Sequence, residues 1–234
     1  AFAEHAIANP VEFDPQNIGP GVNTWMPEYY PSMTVDGKQL LFTREVMESP
    51  GGGRGQEDFF MSTWNGEFWE EAQPLKYINT GGNEGAPAIS PDGQNMVFTA
   101  CDLYGSYGPD RQGFGSCDLF FSYKMGNRWS RAKNMGPNIN SAHWESQPSI
   151  SADGKTLYFV RGDRNPRERK SDLFMSVLSD DGEWSKPEKL SQNINTPENE
   201  ESVLIHPDGK TLYFSSDGHP GMGGLDIFVS TRQG

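Results

Sequence analysis

An Asp-Gly pair between two apolar runs occurs four times in this chain of 234 residues. The pairs are Asp36-Gly37, Asp92-Gly93, Asp153-Gly154 and Asp208-Gly209, which are 56, 61 and 55 residues apart. Asp-Gly favours a tight hairpin, because both central residues of a type I′ turn need a positive φ. A period of this size predicts a fold that is built from repeated supersecondary units.

Each repeat passes the same landmarks in the same order. An Asn opens the connection, a Glu follows five residues later, and the turn Asp comes eight residues after the Glu. The Asn residues are Asn23, Asn79, Asn140 and Asn195, and the Glu residues are Glu28, Glu84, Glu145 and Glu200. A third strand starts at Asp58, Asp118, Asp172 or Asp226, and a fourth contains Trp69, Trp129 or Trp184. Four antiparallel strands in units of about 55 residues predict β-propeller blades.

We therefore predict an all-β fold, a β-propeller of four-stranded antiparallel blades. Four repeats are visible, at about 19–75, 76–135, 136–190 and 191–234. The fourth stops after its third strand, so we expect residues 11–18 to supply its outer strand and close the ring, which leaves no long edge open. The propeller domain is then 11–234, and residues 1–10 are typical of the end of a preceding helical segment. The alternative is that these repeats are part of a five- or six-bladed ring.

Composition argues against binding of nucleic acid and against a segment that spans a membrane. The net charge is −13, and binding of phosphate groups needs a basic surface, so we expect no nucleic-acid partner. No run of 18 apolar residues occurs, so we expect no transmembrane segment. The sequence shows no secretory signal peptide, and its start is typical of a piece of a longer protein.

The chain contains two cysteines, Cys101 and Cys117. Cys101 ends one predicted strand and Cys117 begins the next, so they should face each other at the base of a hairpin. A disulfide there would close a loop of 15 intervening residues and stabilise the fold by roughly 3 kcal/mol in the chain-entropy model. It would also indicate an oxidising compartment. The alternative is two free thiols.

The repeat resembles the TolB-like propeller repeat, with its P-x-x-S-x-D-G-K-x-L-Y-F core and a following Asp-[Ile/Leu/Phe]-[Phe/Tyr]-x-Ser strand. Longer phrases such as NEGAPAISPDG, WESQPSISADGKTLYFV and HPDGKTLYFSSDGHPGMGGLDIFVS resemble the propeller of OmpA-family outer-membrane-associated proteins of Bacteroidota. That group contains the type IX secretion protein PorE. The resemblance implies a periplasmic, outer-membrane-associated protein, often with a helical domain before the propeller. It also implies that peptidoglycan is bound only through domains outside this chain.

The long loops of all four repeats should lie on one end of the propeller, which we call the loop face, and the Asp-Gly turns on the other, the turn face. Binding residues tend to sit on loops that a rigid scaffold holds. We therefore expect a partner-binding surface on the loop face, the alternative being a set of solvated loops that bind no ligand. Its candidate residues are Tyr104, Tyr107, Phe114, Arg161, Arg164, Arg167, Arg169 and Lys170.

The four repeated Glu residues should surround the mouth of the axial channel on the loop face. Four carboxylates around an axis would suit a hard cation such as Ca²⁺. The alternative is structural, with each Glu accepting hydrogen bonds from nearby backbone. We expect a structural role for the Asp that opens each third strand, which can fix the loop base by accepting backbone N–H groups. We predict no cofactor beyond a cation at the channel mouth.

Two histidines are unique to the fourth repeat. His206 stands where the other repeats have Ser or Thr, and it would either face the channel or act as a hydrogen-bonded structural group. His219 lies in a Gly-rich loop, HPGMGG. Such loops can cradle phosphate, but no strand-to-helix context supports that role here.

Three classes of function compete. We favour a non-catalytic, protein-binding scaffold, which the resemblance makes an accessory component of type IX secretion or gliding machinery with other periplasmic or outer-membrane proteins as partners. A lectin-like module that binds glycans or peptidoglycan fragments is the first alternative, with Tyr104 and Tyr107 against sugar rings. A glycosidase-like enzyme is the second. Because the four Glu are equivalent by repetition, they lack the two different environments that acid–base catalysis needs.

Overall fold

The computed structural model describes residues 2–10, 12–47, 55–103, 105–162 and 170–233. A short helix, α1 (Phe2–Ala8), precedes four consecutive β units, which we call blades 1 to 4. Blade 1 contains β1 (Glu28–Met33), β2 (Gln39–Val46), β3 (Gln56–Thr63) and β4 (Gln73–Pro74). Blade 2 contains β5 (Asn83–Ile89), β6 (Asn95–Cys101), β7 (Cys117–Met125), β8 (Arg128–Trp129) and β9 (Lys133–Asn134). Blade 3 contains β10 (Trp144–Ile150), β11 (Thr156–Gly162), β12 (Ser171–Val177) and β13 (Glu188–Lys189), and blade 4 contains β14 (Glu200–Ile205), β15 (Thr211–Ser216) and β16 (Asp226–Thr231).

The antiparallel order that the repeats predict is present in every blade. The three long strands of each blade pair in chain order, as in β1–β2–β3 and β10–β11–β12. The fourth strand is shorter than predicted, because Trp69 and Trp184 each take part in a single isolated β-bridge and not in a continuous strand. The outer strands β4, β9 and β13 are two residues long and lie further along the chain. Among the described residues, no helix is long and apolar enough to cross a membrane.

The Asp-Gly turns differ from the predicted type I′ geometry. In each, the glycine N–H donates to the carbonyl three residues earlier, as Gly37 does to Thr34 at 2.9 Å. Only the glycine has a positive φ, +67° at Gly37 and +70° at Gly154. The Asp instead stabilises the turn through its side chain, because the Asp153 carboxylate accepts the Ser151 hydroxyl at 2.5 Å. These turns are therefore longer than two residues, with glycine in the left-handed position.

The inner strands β1, β5, β10 and β14 lie side by side, each in contact with the next. Serine side chains link two of these pairs: Ser32 Oγ accepts the Ile89 N–H at 3.0 Å, and Ser149 Oγ accepts the Ile205 N–H at 3.0 Å. Apolar clusters fill the spaces between consecutive blades. Their fully buried members include Phe59 and Phe98 between blades 1 and 2, Leu119 and Phe159 between blades 2 and 3, and Val160 and Leu173 between blades 3 and 4.

The ring does not close on itself in this structure. The predicted closing strand is wrong for its described part, since residues 12–18 form no strand and Phe13 is 85% exposed. Val11 lies outside the described residues. Blade 4 keeps three strands, and among the described strands β14 does not pair with β1. The curvature, which depends on how each blade packs on the next, leaves a gap between the first and last blades.

Candidate functional site

Each inner strand carries a bulge two residues after its repeated Glu. Non-glycine residues there adopt a positive φ of 50° to 55°. They are Tyr30, Ala86, Gln147 and Ser202. The pairing register shifts at the same place in all four strands. Left-handed backbone is uncommon for such residues, and it clusters at sites where the surrounding structure enforces it.

A cavity of about 400 Å³ lies along the axis, between these bulges and the turn face. All four inner strands line it, mainly with apolar side chains and prolines such as Pro31, Pro87 and Pro148. Its rim includes three exposed apolar side chains, Met33 at 54%, Val35 at 76% and Leu204 at 56%. An exposed apolar rim beside a concave apolar pocket is the usual form of a binding site for an apolar group.

Three of the bulge residues, Tyr30, Gln147 and Ser202, bring polar groups to the inner end of this cavity, which we call its floor. Gln147 Oε1 accepts the Ser202 N–H, which joins blades 3 and 4. Burial raises the pKa of the Tyr30 hydroxyl, and the negative charge of Glu201 raises it further. Hydrogen bonds from Ser202 and Gln147 act in the opposite direction. Residues of blades 1, 3 and 4 therefore meet at one point on the axis, and each of them is unique to its blade.

The repeated Glu residues lie on the loop-face side of the bulges and are engaged with donors of their own blades. Each accepts the backbone N–H and the hydroxyl of a Thr or Ser four residues earlier, as Glu145 does from Ser141. The partners in the other blades are Thr24, Thr80 and Thr196. This arrangement corresponds to the structural alternative. Among the described residues, no three His, Cys, Asp or Glu side chains come together to hold a metal ion.

In blades 1 to 3 an arginine completes a repeated arrangement, which we call the Glu–Arg belt. Arg44 contacts Glu28 at 2.9 Å, Arg111 contacts Glu84 at 2.5 Å and Arg161 contacts Glu145 at 2.7 Å. Each guanidinium also donates to the carbonyl oxygen just before the repeated Asn, those of Val22, Ile78 and Ile139. Each lies over two phenylalanine rings of its own blade, for example Phe159 and Phe174 for Arg161. The belt pairs the buried carboxylates of Glu84 and Glu145 and the mostly buried one of Glu28 with positive charge, and it fixes the connection that leads into each of these inner strands.

In blade 4, two residues together make the contacts that a single arginine makes in each of the other blades. Ser216 occupies the arginine position of strand two and donates to Glu200 at 2.7 Å. His219 Nε2 lies 2.9 Å from the Ile194 carbonyl oxygen, and its ring packs against Phe214 and Phe228. Glu200 is fully buried, and among the described residues no cation pairs with it. The Gly-rich loop thus has a structural task, holding His219 in the place of a guanidinium.

The expected binding surface on the loop face is only partly available. Tyr107 is wrong as an exposed contact residue, because it is 7% exposed, packs on Phe120 and donates its hydroxyl to the Gly115 carbonyl. Arg161 belongs to the Glu–Arg belt and not to an exposed basic cluster. Phe114 is 49% exposed, and Lys170 is exposed. The expectations for Tyr104, Arg164, Arg167 and Arg169 lie outside the described residues.

The Asp that opens each third strand holds nearby donors, which in blades 1, 2 and 4 lie at the base of its loop. Asp118 accepts the backbone N–H groups of Phe114 and Gly115 and the side-chain amide of Asn134. Burial raises the pKa of Asp118. Asp226 likewise accepts two loop N–H groups, at 2.6 and 3.2 Å. Asp58 accepts Gln56 Nε2, and Asp172 pairs with Lys189 at 2.7 Å.

Cys101 and Cys117 stand directly opposite each other at the end of β6 and the start of β7 and form a disulfide. The loop that it closes carries Tyr107 and Arg111, so the bridge ties the blade 2 member of the Glu–Arg belt to its strands. His206 lies at the blade 4 turn beside Asp208, at 3.2 Å, and is half exposed.

The four bulge residues have a signal in the sequence, but it lies at positions whose residue type does not repeat. The residue two positions after each Glu differs in every repeat, and a proline follows it in three of the four. A proline disfavours the helical region for the residue before it, which marks an unusual backbone at that place. The arginines were harder to find, because Arg111 comes from a loop and not from strand two.

No family model and no curated protein matches the chain in sequence. Solved structures match in fold. TolB from Acinetobacter baumannii aligns with 90% of this chain and 42% of its own length, at 16% identity and a TM-score of 0.53. A putative TolB from Agrobacterium tumefaciens aligns with 89% of this chain and 59% of its own, at 16% identity and a TM-score of 0.52.

An enzyme of the same fold is equally similar. The α-L-arabinofuranosidase PaAbf62A from Podospora anserina aligns with 92% of this chain and 66% of its own, at 13% identity and a TM-score of 0.51. The chain spans about half the length of the two TolB structures, at 42% and 59%. At sequence identities this low, the similarity indicates a shared fold but not a shared activity. The chain therefore has a TolB-like β-propeller fold.

Proposed function

We propose that this chain is a non-catalytic, protein-binding propeller and that its partner binds at the axial cavity on the turn face. One observation carries the proposal: an apolar cavity of about 400 Å³ with an exposed apolar rim at Met33, Val35 and Leu204. When a partner covers the apolar surface at the cavity mouth, each Å² removed from water contributes about 25 cal/mol to the binding free energy.

The cavity suits an apolar side chain or short extended segment of a partner protein. Its prolines and aliphatic side chains favour apolar contact, while Tyr30, Gln147 and Ser202 at the floor offer polar groups to the end of an inserted segment. Rigid prolines limit the conformational entropy lost on binding. The rim lies on the turn face, so the loop face is left for contacts that differ from blade to blade.

The state of the carboxylates supports a non-catalytic role. Glycosidases need two carboxyl groups in different environments on either side of the scissile bond. Here each of the four repeated Glu accepts hydrogen bonds from a nearby Thr or Ser, and three of them are also paired with an arginine. The glycan-binding alternative also loses support, because Tyr107, one of its two aromatic residues, is buried.

We further propose that the protein works in the periplasm, associated with the outer membrane. The Cys101–Cys117 disulfide fits an oxidising compartment. The resemblance to OmpA-family proteins of Bacteroidota supports the outer-membrane association and an accessory role in type IX secretion or gliding. The partners would then be other periplasmic or outer-membrane proteins.

A pair of matched variants tests the cavity. Val35→Glu with Leu204→Glu places charge on the rim, and Phe114→Glu places one on the loop face. Partners would be cross-linked to the wild type in an outer-membrane extract, identified and purified, and their Kd measured with all three proteins. We expect the rim variant to bind at least about tenfold more weakly, equivalent to ~1.4 kcal/mol, with no change for Phe114→Glu. Equal affinity of the rim variant, with loss in Phe114→Glu, would place the site on the loop face.

A glycosidase substrate panel tests the non-catalytic claim. We expect no turnover with the wild type. Hydrolysis that disappears in Glu145→Gln or Glu200→Gln would overturn that part of the proposal.

A further inference from the structure

A separate cavity, of about 500 Å³, lies between blades 3 and 4 beside the Asp-Gly turn of blade 4. Apolar side chains form part of its wall. They are Met175, Leu190, Ile205 and Leu212. Its polar lining includes Tyr158, Lys210 and Arg232. The axial cavity shares only Ile205 with it, so the two cavities offer a ligand different groups.

Two basic residues of this cavity, Lys210 and Arg232, are neighbours across the last hairpin of blade 4. The Arg232 N–H donates to the Lys210 carbonyl at 3.0 Å, and the adjoining Thr211 and Thr231 are paired. Among the described residues, neither basic side chain has an acidic partner. The Arg232 guanidinium makes one hydrogen bond there, at 3.5 Å to the Gly209 carbonyl. Like charges on neighbouring strands repel, so an anion between them would stabilise the pair.

The corresponding hairpins of blades 1 to 3 carry only one basic residue at these two positions. The same bond from N–H to carbonyl joins the positions in each blade. The pairs are Lys38 and Trp64, Gln94 and Lys124, and Lys155 and Leu178. Lys155 pairs with Asp180 at 3.1 Å, and Lys124 donates to Gln39 at 3.1 Å. The double positive charge is therefore specific to blade 4, and the repeat does not require it.

The cavity at the preceding junction, between blades 2 and 3, has the opposite charge. Its volume is about 510 Å³. Val97 and Leu178 line it at the positions that Tyr158 and Arg232 take in the next junction. Its charged lining residues are Asp153 and Glu183. Two cavities of similar size at equivalent places thus differ in the ligand charge that they favour.

Tyr158 adds a hydrogen-bond donor to the cavity between blades 3 and 4. The residue is 8% exposed. Its hydroxyl makes no hydrogen bond within the described part of the chain. Burial raises the pKa of this hydroxyl, and the positive charge of Arg232 acts in the opposite direction. A hydroxyl with a raised pKa stays protonated at neutral pH, and leaving it unpaired in a buried residue costs free energy that a ligand would recover.

We propose that this cavity binds a monocarboxylate with an apolar body, either a small organic acid or the C-terminal end of a partner peptide. The Arg232 guanidinium can bind a carboxylate through two N–H groups. Lys210 adds a second positive charge, and the Tyr158 hydroxyl donates to the same group. The apolar wall receives the body of the ligand, which inorganic phosphate would leave uncovered. This inference is independent of the proposed function, which concerns the axial cavity.

An NMR titration of the isotope-labelled protein tests the chemistry of the ligand. Hexanoate, hexanol and inorganic phosphate would be added in turn, and the Kd read from the amides of residues 209–212 and 230–233, which line the cavity. Hexanoate and hexanol share an apolar chain and differ in charge. We expect hexanoate to bind at least about tenfold more tightly than either of the others. Acetyl-Ala-Leu, a model of a peptide C-terminus, would be titrated beside it, and the tighter of the two acids identifies the source of the carboxylate.

Variants test the residues that we assign to the carboxylate. Lys210→Gln with Arg232→Gln should weaken hexanoate binding at least about tenfold. Hexanol binding should stay unchanged in the same variant, which reports that the cavity is intact. Tyr158→Phe should weaken hexanoate several-fold without changing hexanol. The matched control is Lys155→Gln, at the same turn position in blade 3, and it should change neither.

Three results would contradict the proposal. Equal affinity for hexanoate and hexanol would overturn it, as would hexanoate binding that survives the double variant. Phosphate that binds more tightly than hexanoate would overturn the assignment of an apolar ligand. Amides that do not shift with any of these ligands would show that the cavity binds no carboxylate.

Discussion

His219 Nε2 lies 2.9 Å from the Ile194 carbonyl oxygen, the place that an arginine guanidinium occupies in each of the other three blades. The ring packs on Phe214 and Phe228, as the guanidinium of Arg161 packs on Phe159 and Phe174. Blade 4 therefore keeps the aromatic and carbonyl contacts of the Glu–Arg belt while leaving Glu200 to hydroxyl and backbone donors.

Restoring the arginine should rescue the loss of His219. His219→Ala alone should lower the free energy of unfolding by about 1–2 kcal/mol, because it removes a partly buried hydrogen bond and two ring contacts. Adding Ser216→Arg to it should recover that loss, because residue 216 is in the strand position of Arg44 and Arg161. Urea unfolding measures all three proteins. If the double variant is no more stable than His219→Ala, the equivalence is wrong.

The same belt predicts unequal effects for two equivalent glutamates. Glu145→Gln should destabilise by about 2 kcal/mol, because it leaves the partly buried Arg161 without its charged partner. Glu200→Gln should cost about 1 kcal/mol, because it disturbs only hydrogen bonds to uncharged donors. Equal losses in denaturant unfolding would contradict the distinction between the two sites.

The turn aspartates predict a dependence of stability on pH. The Ser151 hydroxyl, followed by the Lys155 N–H, lowers the pKa of Asp153 below its usual value. A lowered pKa in the folded state gives stability that is present above the unfolded pKa and is lost as the pH falls through the folded one. The stability advantage of the wild type over Asp153→Asn should therefore be present at pH 7 and shrink below about pH 4.

A matched comparison isolates this effect from that of the buried acids. Burial raises the pKa of Glu84 and Asp118, which has the opposite sign because stability then falls as the pH rises through that window. These residues are the same in wild type and variant, so they cancel in the difference. Glu71→Gln, at an exposed carboxylate outside the turns, serves as control. A wild-type advantage that stays constant from pH 7 to pH 2 would contradict the turn assignment.

Reduction of the disulfide should weaken blade 2 first. The bridge closes a loop that carries Arg111, which holds Glu84 at 2.5 Å, so its loss frees the loop and loosens the belt. We expect Cys101→Ser with Cys117→Ser to lower the free energy of unfolding by about 3 kcal/mol. Hydrogen exchange should increase at β6 and β7 before it increases at β11 and β12. Uniform exchange across the blades would argue against this local effect.

The blade pattern was predictable because it is coded locally. The spacing from each repeated Asn through Glu to the turn Asp gave the order of the strands, and Cys101 and Cys117 were placed opposite each other by the same register. The wrong turn type has a local cause too, since the Asp153 side chain bonds within the turn and makes a positive φ at Asp unnecessary.

The remaining features depend on contacts that spacing does not reveal. Arg111 reaches Glu84 from 27 residues away, and Tyr107 is buried because its loop folds back on Phe120. The gap between blades 1 and 4 depends on how each blade packs on the next, which the spacing within one repeat does not specify. The axial cavity arises only when four inner strands are brought side by side, so no single repeat contains it.

Site-specific photo-cross-linking would show whether a partner binds at the axial cavity in cells. A benzophenone amino acid would replace Val35 on the rim of the cavity or Phe114 on the loop face, and cells producing each protein would be irradiated. We expect a discrete cross-linked partner from position 35 and none of it from position 114. Adducts from position 114 alone, with none from position 35, would contradict binding at the axial cavity.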